Sequence, residues 1–346
     1  LPVAKCFFIL IFLIGLFFER RDRMTHILAL HTGGTIAMSQ DETGAVSPNA
    51  QNPLLGLQDL VGQDIDVTSE DFFNLPSPHM TPQRMLELSQ RIRQAEANGI
   101  DGIVVTHGTD TLEETAYFLD LTLDATIPVV VTGAMRSSNE VGADGSYNYV
   151  SAIRTAATPA ARNKGCLVVM NDEIHTARFV TKTHTTNVAT FRTPTFGPIG
   201  LVTKAGVRFF QELINQVALP IDALKAPVFL LKAYAGMDST LFDALPDNNQ
   251  GLVIEALGAG NLPPETLPGL QRLLNRHIPV VLVSRCFNGV AEGFYDYQGG
   301  GAQLAKMGVT FCQGLNGQKA RIKLIVGLSA GKTGKELADY VDNAIS

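Results

Sequence analysis

Short apolar runs of four to six residues alternate with longer amphipathic stretches along most of this 346-residue chain. Apolar runs of this length are typical of strands buried on both faces, and the stretches between them are long enough for helices. Regular alternation of strands and helices favours a parallel sheet with helices on both sides. We therefore predict an α/β fold, with a mostly parallel sheet flanked by helices in a larger N-terminal domain and a smaller α/β domain after it.

The individual elements follow from the same pattern. We expect strands at 26–31, 65–68, 102–106, 128–132, 166–170, 227–231, 251–256, 279–284 and 308–312. We expect helices at 82–98, 112–123, 145–157, 239–245, 265–276, 316–326 and 333–343. The periodic pattern weakens between Gln211 and Pro227. This predicts a catalytic N-terminal domain at 24–215, a linker at 216–225 and a C-terminal domain at 226–346.

The first 23 residues differ from the rest, because Phe7 to Phe18 form one continuous apolar stretch. A spanning helix needs about 20 apolar residues, and no small-x-small cleavage site of a signal peptide follows this stretch. Met24 stands just before the first predicted strand. We expect residues 1–23 to be an upstream extension and the working protein, a cytoplasmic one, to start at Met24. A retained, uncleaved apolar anchor is the alternative.

Composition argues against several functional classes. The formal net charge is −6 and the chain has no long basic block, so a nucleic-acid partner is not expected. The four cysteines form no C-x-x-C pair and the seven histidines no H-E-x-x-H motif, so we expect neither a disulfide framework nor a metal site. The first predicted strand is not followed by G-x-G-x-x-G, and G-x-x-x-x-G-K-[ST] is absent. The sequence therefore lacks the phosphate-binding motifs that would indicate a nucleotide-binding protein.

Two glycine-threonine turns, Thr32–Thr35 and His107–Thr111, each follow an apolar run. Ligands of open α/β sheets bind at the carboxyl ends of such strands. Thr111 and Glu114 also have the spacing of a capping box, which predicts a helix start with unpaired amides that favour a substrate carboxylate. We expect both turns to line one pocket rich in hydroxyl groups.

Lys182 is the candidate base for this pocket, because it is the single lysine in a segment of hydroxyl residues, Val180 to Thr186. A threonine hydroxyl is a weak nucleophile until a base removes its proton, and a lysine can replace histidine in that role. Asp110 is placed either to orient the lysine or to bind a substrate ammonium. The alternatives are a surface lysine and an ordinary carboxylate at a helix start.

Three segments together resemble the bacterial L-asparaginase family: T-G-G-T-I-A from Thr32, H-G-T-D-T-L-E-E-T-A-Y-F from His107, and T-K-T-H-T-T-N-V-A-T-F from Thr181. Their order and spacing match, and the resemblance extends from Met24 to near the C-terminus. Further similar segments include Val131–Arg136 and Gln318–Arg321.

The resemblance implies hydrolysis of L-asparagine to L-aspartate and ammonia through an acyl-enzyme, without a cofactor. Thr35 takes the position of the nucleophile, and Thr109, Asp110 and Lys182 correspond to the second catalytic group. Nearby backbone amides would stabilise the oxyanion.

The family also implies a set of substrate-binding residues, namely Ser77, Thr109, Asp110, Ala134 and Asn261. It further implies a homo-oligomer, a dimer or a homotetramer, in which a neighbouring subunit completes the site. Asn261 matches a position near that junction, and residues around Tyr295 to Tyr297 are candidates for an acidic or aromatic contribution. The implied partner is a small-molecule substrate, and no membrane partner is expected for residues 24–346.

The chain departs from the family pattern at two positions. Many members carry a tyrosine on the mobile loop after the nucleophile, whereas the first tyrosine here is Tyr117. Thr35 would then be activated by water or by the Lys182 group. Dual-specificity relatives often have Gln or Glu beside the serine, where this chain has Pro78, so minor glutaminase activity is left open.

Two other functions are compatible with parts of this pattern. An amidase subunit of a larger amidotransferase would use the same chemistry, but the pattern of this sequence predicts no extra domain for tRNA. A non-catalytic amino-acid sensor would use the same pocket, yet binding alone does not require Lys182.

Overall fold

The computed structural model describes residues 24–49, 51–212, 217–342 and 344. The predicted extension 1–23 lies outside these described residues. The described strands are β1 (Thr25–His31), β2 (Met38–Gln40), β3 (Val46–Pro48), β4 (Ile65–Asp71), β5 (Gly102–Thr106), β6 (Val129–Thr132), β7 (Cys166–Met170), β8 (Glu173–Thr176), β9 (Thr181–Lys182), β10 (Phe191–Arg192), β11 (Gly200–Thr203), β12 (Gly206–Phe209), β13 (Val228–Lys232), β14 (Gly251–Ala256), β15 (Val280–Ser284) and β16 (Thr310–Phe311).

The described α-helices are α1 (Pro82–Ala97), α2 (Leu112–Thr122), α3 (Gly145–Ala156), α4 (Thr240–Asp243), α5 (Leu267–Asn275), α6 (Gly301–Met307), α7 (Gly317–Ser329) and α8 (Gly334–Asp342). All nine predicted strands and all seven predicted helices are present, with most boundaries within two residues. Helix α6 and the short strands β2, β3 and β8 to β12 were not predicted, because most are too brief for hydrophobic periodicity to register.

The larger sheet has eight strands in the order β12-β11-β8-β7-β6-β5-β1-β4. Strands β4, β1, β5, β6 and β7 run parallel, whereas β8, β11 and β12 continue the sheet in antiparallel pairs. The smaller sheet, β13-β14-β15-β16, is entirely parallel. The predicted α/β class is confirmed. The linker boundaries at 216–225 stay a prediction, and residue 216 lies outside the described residues.

Apolar side chains fill both faces of the larger sheet. Helix α3 packs on one face through Tyr149 and Ile153, and helices α1 and α2 cover the other through Leu88 and Leu112. A further cluster lies between α2 and the smaller sheet, because buried residues of α2 such as Phe118 pack with residues of α7 and of that sheet. Helix α7 therefore lies directly against the helix that follows the second glycine-threonine turn.

In the described part of the chain, no helix is both long enough and apolar enough to cross a membrane. The described cysteines, Cys166, Cys286 and Cys312, are not in disulfides. Nor do the described histidines, cysteines and carboxylates form a group of three or more that could hold a metal ion.

Candidate active site

The two glycine-threonine turns start side by side at the carboxyl edge of the larger sheet. Strands β1 and β5 are neighbours in register, with His31 opposite Thr106, so each turn leaves the sheet at the same level. Gly34 of the first turn packs against Gly108 of the second so closely that a Cβ atom on Gly34 would collide with the Gly108 backbone. The residues that follow these glycines are consequently held in neighbouring positions.

Thr35 begins a short 3₁₀ helix, Thr35–Ala37, directly after Gly34. Gly34 has φ 85° and ψ 177°, a conformation essentially restricted to glycine. The next side chain, Ile36, is 1% exposed and anchors the helix in the core, while Thr35 itself is half-buried. Among the described residues, none is hydrogen-bonded to the Thr35 hydroxyl. That hydroxyl is therefore available to a ligand at the strand ends.

Lys182, Thr109 and Asp110 form one hydrogen-bonded group, although more than 70 residues separate the lysine from the other two. The Lys182 Nζ atom donates to Thr109 Oγ1 at 2.9 Å and to Asp110 Oδ1 at 2.8 Å. The Lys182 side chain is 17% exposed and the Asp110 side chain 60% exposed, so one side of the group is open to solvent. A partly desolvated lysine on a threonine hydroxyl is suited to proton transfer.

Ser77 connects the second turn to the loop after β4. Its Oγ accepts a hydrogen bond from the Asp110 amide at 3.1 Å, and its carbonyl accepts one from the Thr111 hydroxyl at 2.8 Å. Two expectations about this helix start were wrong for that reason. Thr111 does not cap α2 with its side chain, and the Asp110 amide is already paired. The positive end of the α2 dipole still faces this edge of the sheet.

The remaining predicted substrate residues lie in different places. Ala134 follows β6, is fully buried and packs in the same cluster as Ile36. Asn261 follows β14 in the smaller domain, where its amide donates to the Leu257 carbonyl and its Oδ1 accepts from the Gly301 amide. The structure thus brings Ala134 to the site, whereas the hydrogen bonds of Asn261 are made within the smaller domain.

Sequence reasoning missed the way the segment after Thr35 is held. Strands β2 and β3 form a hairpin. The side-chain amide of Asn139 pairs with the backbone of β2 at Gln40, as the backbone of a neighbouring strand would. The Gln40 amide donates to Asn139 Oδ1 and Asn139 Nδ2 donates to the Gln40 carbonyl, both at 2.8 Å. The Ser138 amide donates to the Met38 carbonyl at 2.9 Å. A single asparagine in a polar loop carries no sequence signal for such a role.

His107, at the start of the second turn, was predicted only as part of the motif. It is 1% exposed, and its Nδ1 lies 2.7 Å from the Gly108 carbonyl while its Nε2 lies 2.9 Å from Thr115 Oγ1. Burial lowers the pKa of His107 to about 4, so the ring is neutral at pH 7. A neutral ring that donates from Nδ1 satisfies both contacts and braces the turn.

Comparison with known proteins matches this architecture. The family model of the asparaginase N-terminal domain matches residues 26–215, and that of the glutaminase/asparaginase C-terminal domain matches residues 227–341. Over 319 residues the chain is 41% identical to a probable L-asparaginase of Deinococcus radiodurans, which covers 91% of this chain and 96% of that protein. It is 31% identical to a glutaminase-asparaginase of Pseudomonas fluorescens biotype A, with 92% and 90% covered.

A solved structure gives the same result. The probable cytoplasmic L-asparaginase of Campylobacter jejuni superposes with a TM-score of 0.81 at 34% identity, covering 92% of this chain and 99% of that one. The resemblance seen in the three sequence segments is therefore confirmed, and this chain belongs to the asparaginase family.

Proposed function

We propose that this protein hydrolyses L-asparagine to L-aspartate and ammonia through a covalent acyl-enzyme. The observation that carries the proposal is the Lys182 ammonium bound to the Thr109 hydroxyl and the Asp110 carboxylate, beside the turn that bears Thr35. Hydroxyl groups, a lysine and a carboxylate are sufficient for acyl transfer, so the proposed reaction uses no cofactor. Relatives named L-asparaginase make the substrate assignment specific.

In the proposed first step, the Thr35 hydroxyl attacks the side-chain carboxamide carbon of asparagine. The carbon–nitrogen bond breaks, and ammonia leaves with the proton released from the hydroxyl. In the second step, water attacks the aspartyl ester, the bond to Thr35 breaks and the hydroxyl is restored. Lys182 is the base that takes the proton of the attacking water through Thr109, while Asp110 orients the lysine.

The amino-acid end of the substrate binds Asp110 and Ser77 in this proposal. The half-exposed Asp110 carboxylate is placed to accept from the substrate ammonium, and the start of α2 favours the substrate carboxylate. Ala134 closes the pocket from β6. Asn261 contributes from the smaller domain of a neighbouring subunit.

Ammonia release from L-asparagine by the purified protein tests the activity, and Thr35→Val tests the nucleophile. Valine keeps the branched shape of threonine but lacks the hydroxyl, so turnover should be abolished while the fold is kept. Thr68→Val, at an exposed position on β4, is the matched control and should keep parental turnover. Full activity in Thr35→Val would remove Thr35 from the mechanism.

Hydroxylamine tests the acyl-enzyme. If an aspartyl ester forms, hydroxylamine competes with water for it and aspartyl hydroxamate accumulates along with aspartate. A parent protein that binds asparagine but releases neither ammonia nor hydroxamate would instead be an amino-acid sensor.

We also propose minor glutaminase activity. A relative named glutaminase-asparaginase supports it, and Pro78 beside Ser77 offers the substrate no side-chain hydrogen bond. The ratio of kcat/KM for asparagine and glutamine measures this preference directly. A ratio of at least tenfold in favour of asparagine is expected, and equal values would contradict it.

For the assembly we propose a homotetramer in the cytoplasm. Support comes from large apolar side chains at 287–297 that are more than one-third exposed, with Phe294 73% exposed. Side chains of this kind in one surface segment are typical of subunit contacts. A cytoplasmic location is supported by the name of the Campylobacter jejuni relative. Sedimentation analysis tests the assembly and cell fractionation tests the location, while N-terminal sequencing of the native protein shows whether it starts at Met24.

A further inference from the structure

Lys319 is a buried lysine that the mechanism above does not use. It lies in the first turn of α7, in the smaller domain, and is 1% exposed. Its Nζ donates to the carbonyls of Ala177 at 2.7 Å and Arg178 at 3.2 Å, and also to the carbonyl of Val180. All three acceptors belong to the segment that leads directly into β9. One ammonium therefore fastens the backbone immediately before Lys182.

Glu113 holds the same segment from the other side. Its Oε1 accepts hydrogen bonds from the Lys182 amide at 3.3 Å and from the Thr181 hydroxyl at 3.1 Å. Its Oε2 accepts one from Asn316 Nδ2 at 2.8 Å and lies 3.8 Å from the Lys319 ammonium. A carboxylate that is only 5% exposed needs such partners, since a buried charge without them is costly.

These contacts join three parts of the chain at the candidate base. Glu113 is in the first turn of α2, three residues after Asp110. The start of α2 thus binds Lys182 twice, through the side-chain ammonium at Thr109 and Asp110 and through the backbone amide at Glu113. Asn316 and Lys319 of the smaller domain in turn hold the Glu113 carboxylate. The position of the Lys182 ammonium consequently depends on α7.

We propose that Lys319 and Asn316 are positioning residues, which hold the Lys182 ammonium against Thr109 and Asp110. The inference rests on the proposed hydrolysis of asparagine. In this arrangement the smaller domain contributes to catalytic geometry within its own chain. A displacement of the lysine by about 1 Å is enough to cost about a hundredfold in rate.

Two variants and a matched control separate positioning from simple stabilisation. In the parent protein, the Lys319 amide donates a hydrogen bond to Asn316 Oδ1 at 3.1 Å. In Asn316→Ser, the serine hydroxyl can still accept this hydrogen bond at the helix start, but the serine side chain is too short to reach Glu113. Lys319→Met keeps most of the length of the side chain and removes its charge. Lys323→Met is the control, because Lys323 is also 1% exposed on α7 but its ammonium lies over the Tyr340 ring.

The measurement is kcat and KM for L-asparagine, corrected for the folded fraction found by urea unfolding. We expect Asn316→Ser and Lys319→Met to lose about 10- to 100-fold in kcat with KM within about threefold. The Lys323→Met control should lose stability and keep kcat per folded molecule. If Lys319→Met does not fold, Asn316→Ser decides the question.

The Lys182→Ala background supplies a second readout. If Asn316 acts through Lys182, then adding Asn316→Ser to Lys182→Ala lowers the residual rate no further. Parental kcat per folded molecule in Asn316→Ser, or full additivity in the double variant, would overturn the positioning role. A parent protein inactive on asparagine is a different result, because it removes the proposed function itself.

Discussion

Gly34 offers a direct test of whether the two glycine-threonine turns must touch. Its φ of 85° and ψ of 177° fall in a region that residues with a side chain avoid. A Cβ atom at this position would also collide with the backbone of Gly108 on the neighbouring turn. Gly34→Ala therefore introduces both backbone strain and a steric clash, and only the second depends on the contact between the turns.

The magnitude follows from these two costs. Forcing alanine into this conformation costs about 1–3 kcal/mol. Overpacking against a fixed backbone adds about 1–3 kcal/mol, so the free energy of unfolding should fall by about 2–6 kcal/mol. Gly99→Ala is the matched control, because Gly99 has φ 86° and nothing lies within 4 Å of its added Cβ atom. Strain alone should cost this control about 1–2 kcal/mol.

Urea unfolding of the parent and both variants measures the two free energies, and ammonia release measures kcat. Because Thr35 directly follows Gly34, we expect Gly34→Ala to lose at least about a hundredfold in kcat, whereas Gly99→Ala keeps parental turnover. Equal destabilisation of the two variants, together with parental kcat in Gly34→Ala, would refute the idea that the contact between the turns aligns the site.

Three further perturbations test other parts of the site. The pKa of His107 is about 4 in the folded protein and near 6.5 in the unfolded protein, so only the unfolded protein binds a proton between these values. The neutral ring therefore adds about 3 kcal/mol to the free energy of unfolding above pH 6.5, and this contribution is lost as the pH falls towards 4. His107→Gln should reduce the slope of the free energy of unfolding against pH over this range, where buried His175, whose pKa is also lowered to about 4, still contributes; an unchanged slope would contradict this role of His107. Asp110→Asn should lower kcat by about a hundredfold and raise KM, because Lys182 and the substrate ammonium both lose a charged partner; a variant with parental kinetics would exclude that role. Asn139→Ala removes two hydrogen bonds to Gln40 and should speed proteolysis within residues 41–46, and an unchanged cleavage rate would argue against this anchoring.

Sequence predicted most of the elements because the parallel strands are buried on both faces. Runs such as Ile103 to Thr106 then consist almost entirely of apolar residues, which stand out against the helices. The same signal is absent from β9, a two-residue strand of threonine and lysine. The site has the same limit: the glycine-threonine turns are visible as strand-end motifs and the hydroxyl-rich segment made Lys182 a candidate base, but the family resemblance was needed to pair Lys182 with Thr109.

Buried charges were the main feature that sequence could not reveal. Glutamate and lysine are residue types normally found on exposed helix faces. Glu113 and Lys319 are buried because each finds its partners in elements that are distant in sequence. Thr111 shows the same limit at a helix start. The capping-box spacing is present, but the Thr111 hydroxyl donates its hydrogen bond to the Ser77 carbonyl, which is distant in sequence. Tertiary contacts decide which local hydrogen bond forms.

The absence of a tyrosine after Thr35 changes what is expected of Lys182. The hairpin that follows Thr35 carries no tyrosine, its carboxylates Asp41 and Glu42 are exposed at its turn, and the first tyrosine of the sequence, Tyr117, is fully buried in α2. The Gly34–Gly108 contact places Thr35 next to the turn whose threonine is bound to Lys182, so we expect one base to serve both steps. Hydroxylamine separates the steps, because it attacks the ester without an activated water. If Lys182 also serves the first step, hydroxylamine should fail to restore Lys182→Ala to the parental rate. If Lys182 only activates water, hydroxylamine should restore the rate of this variant.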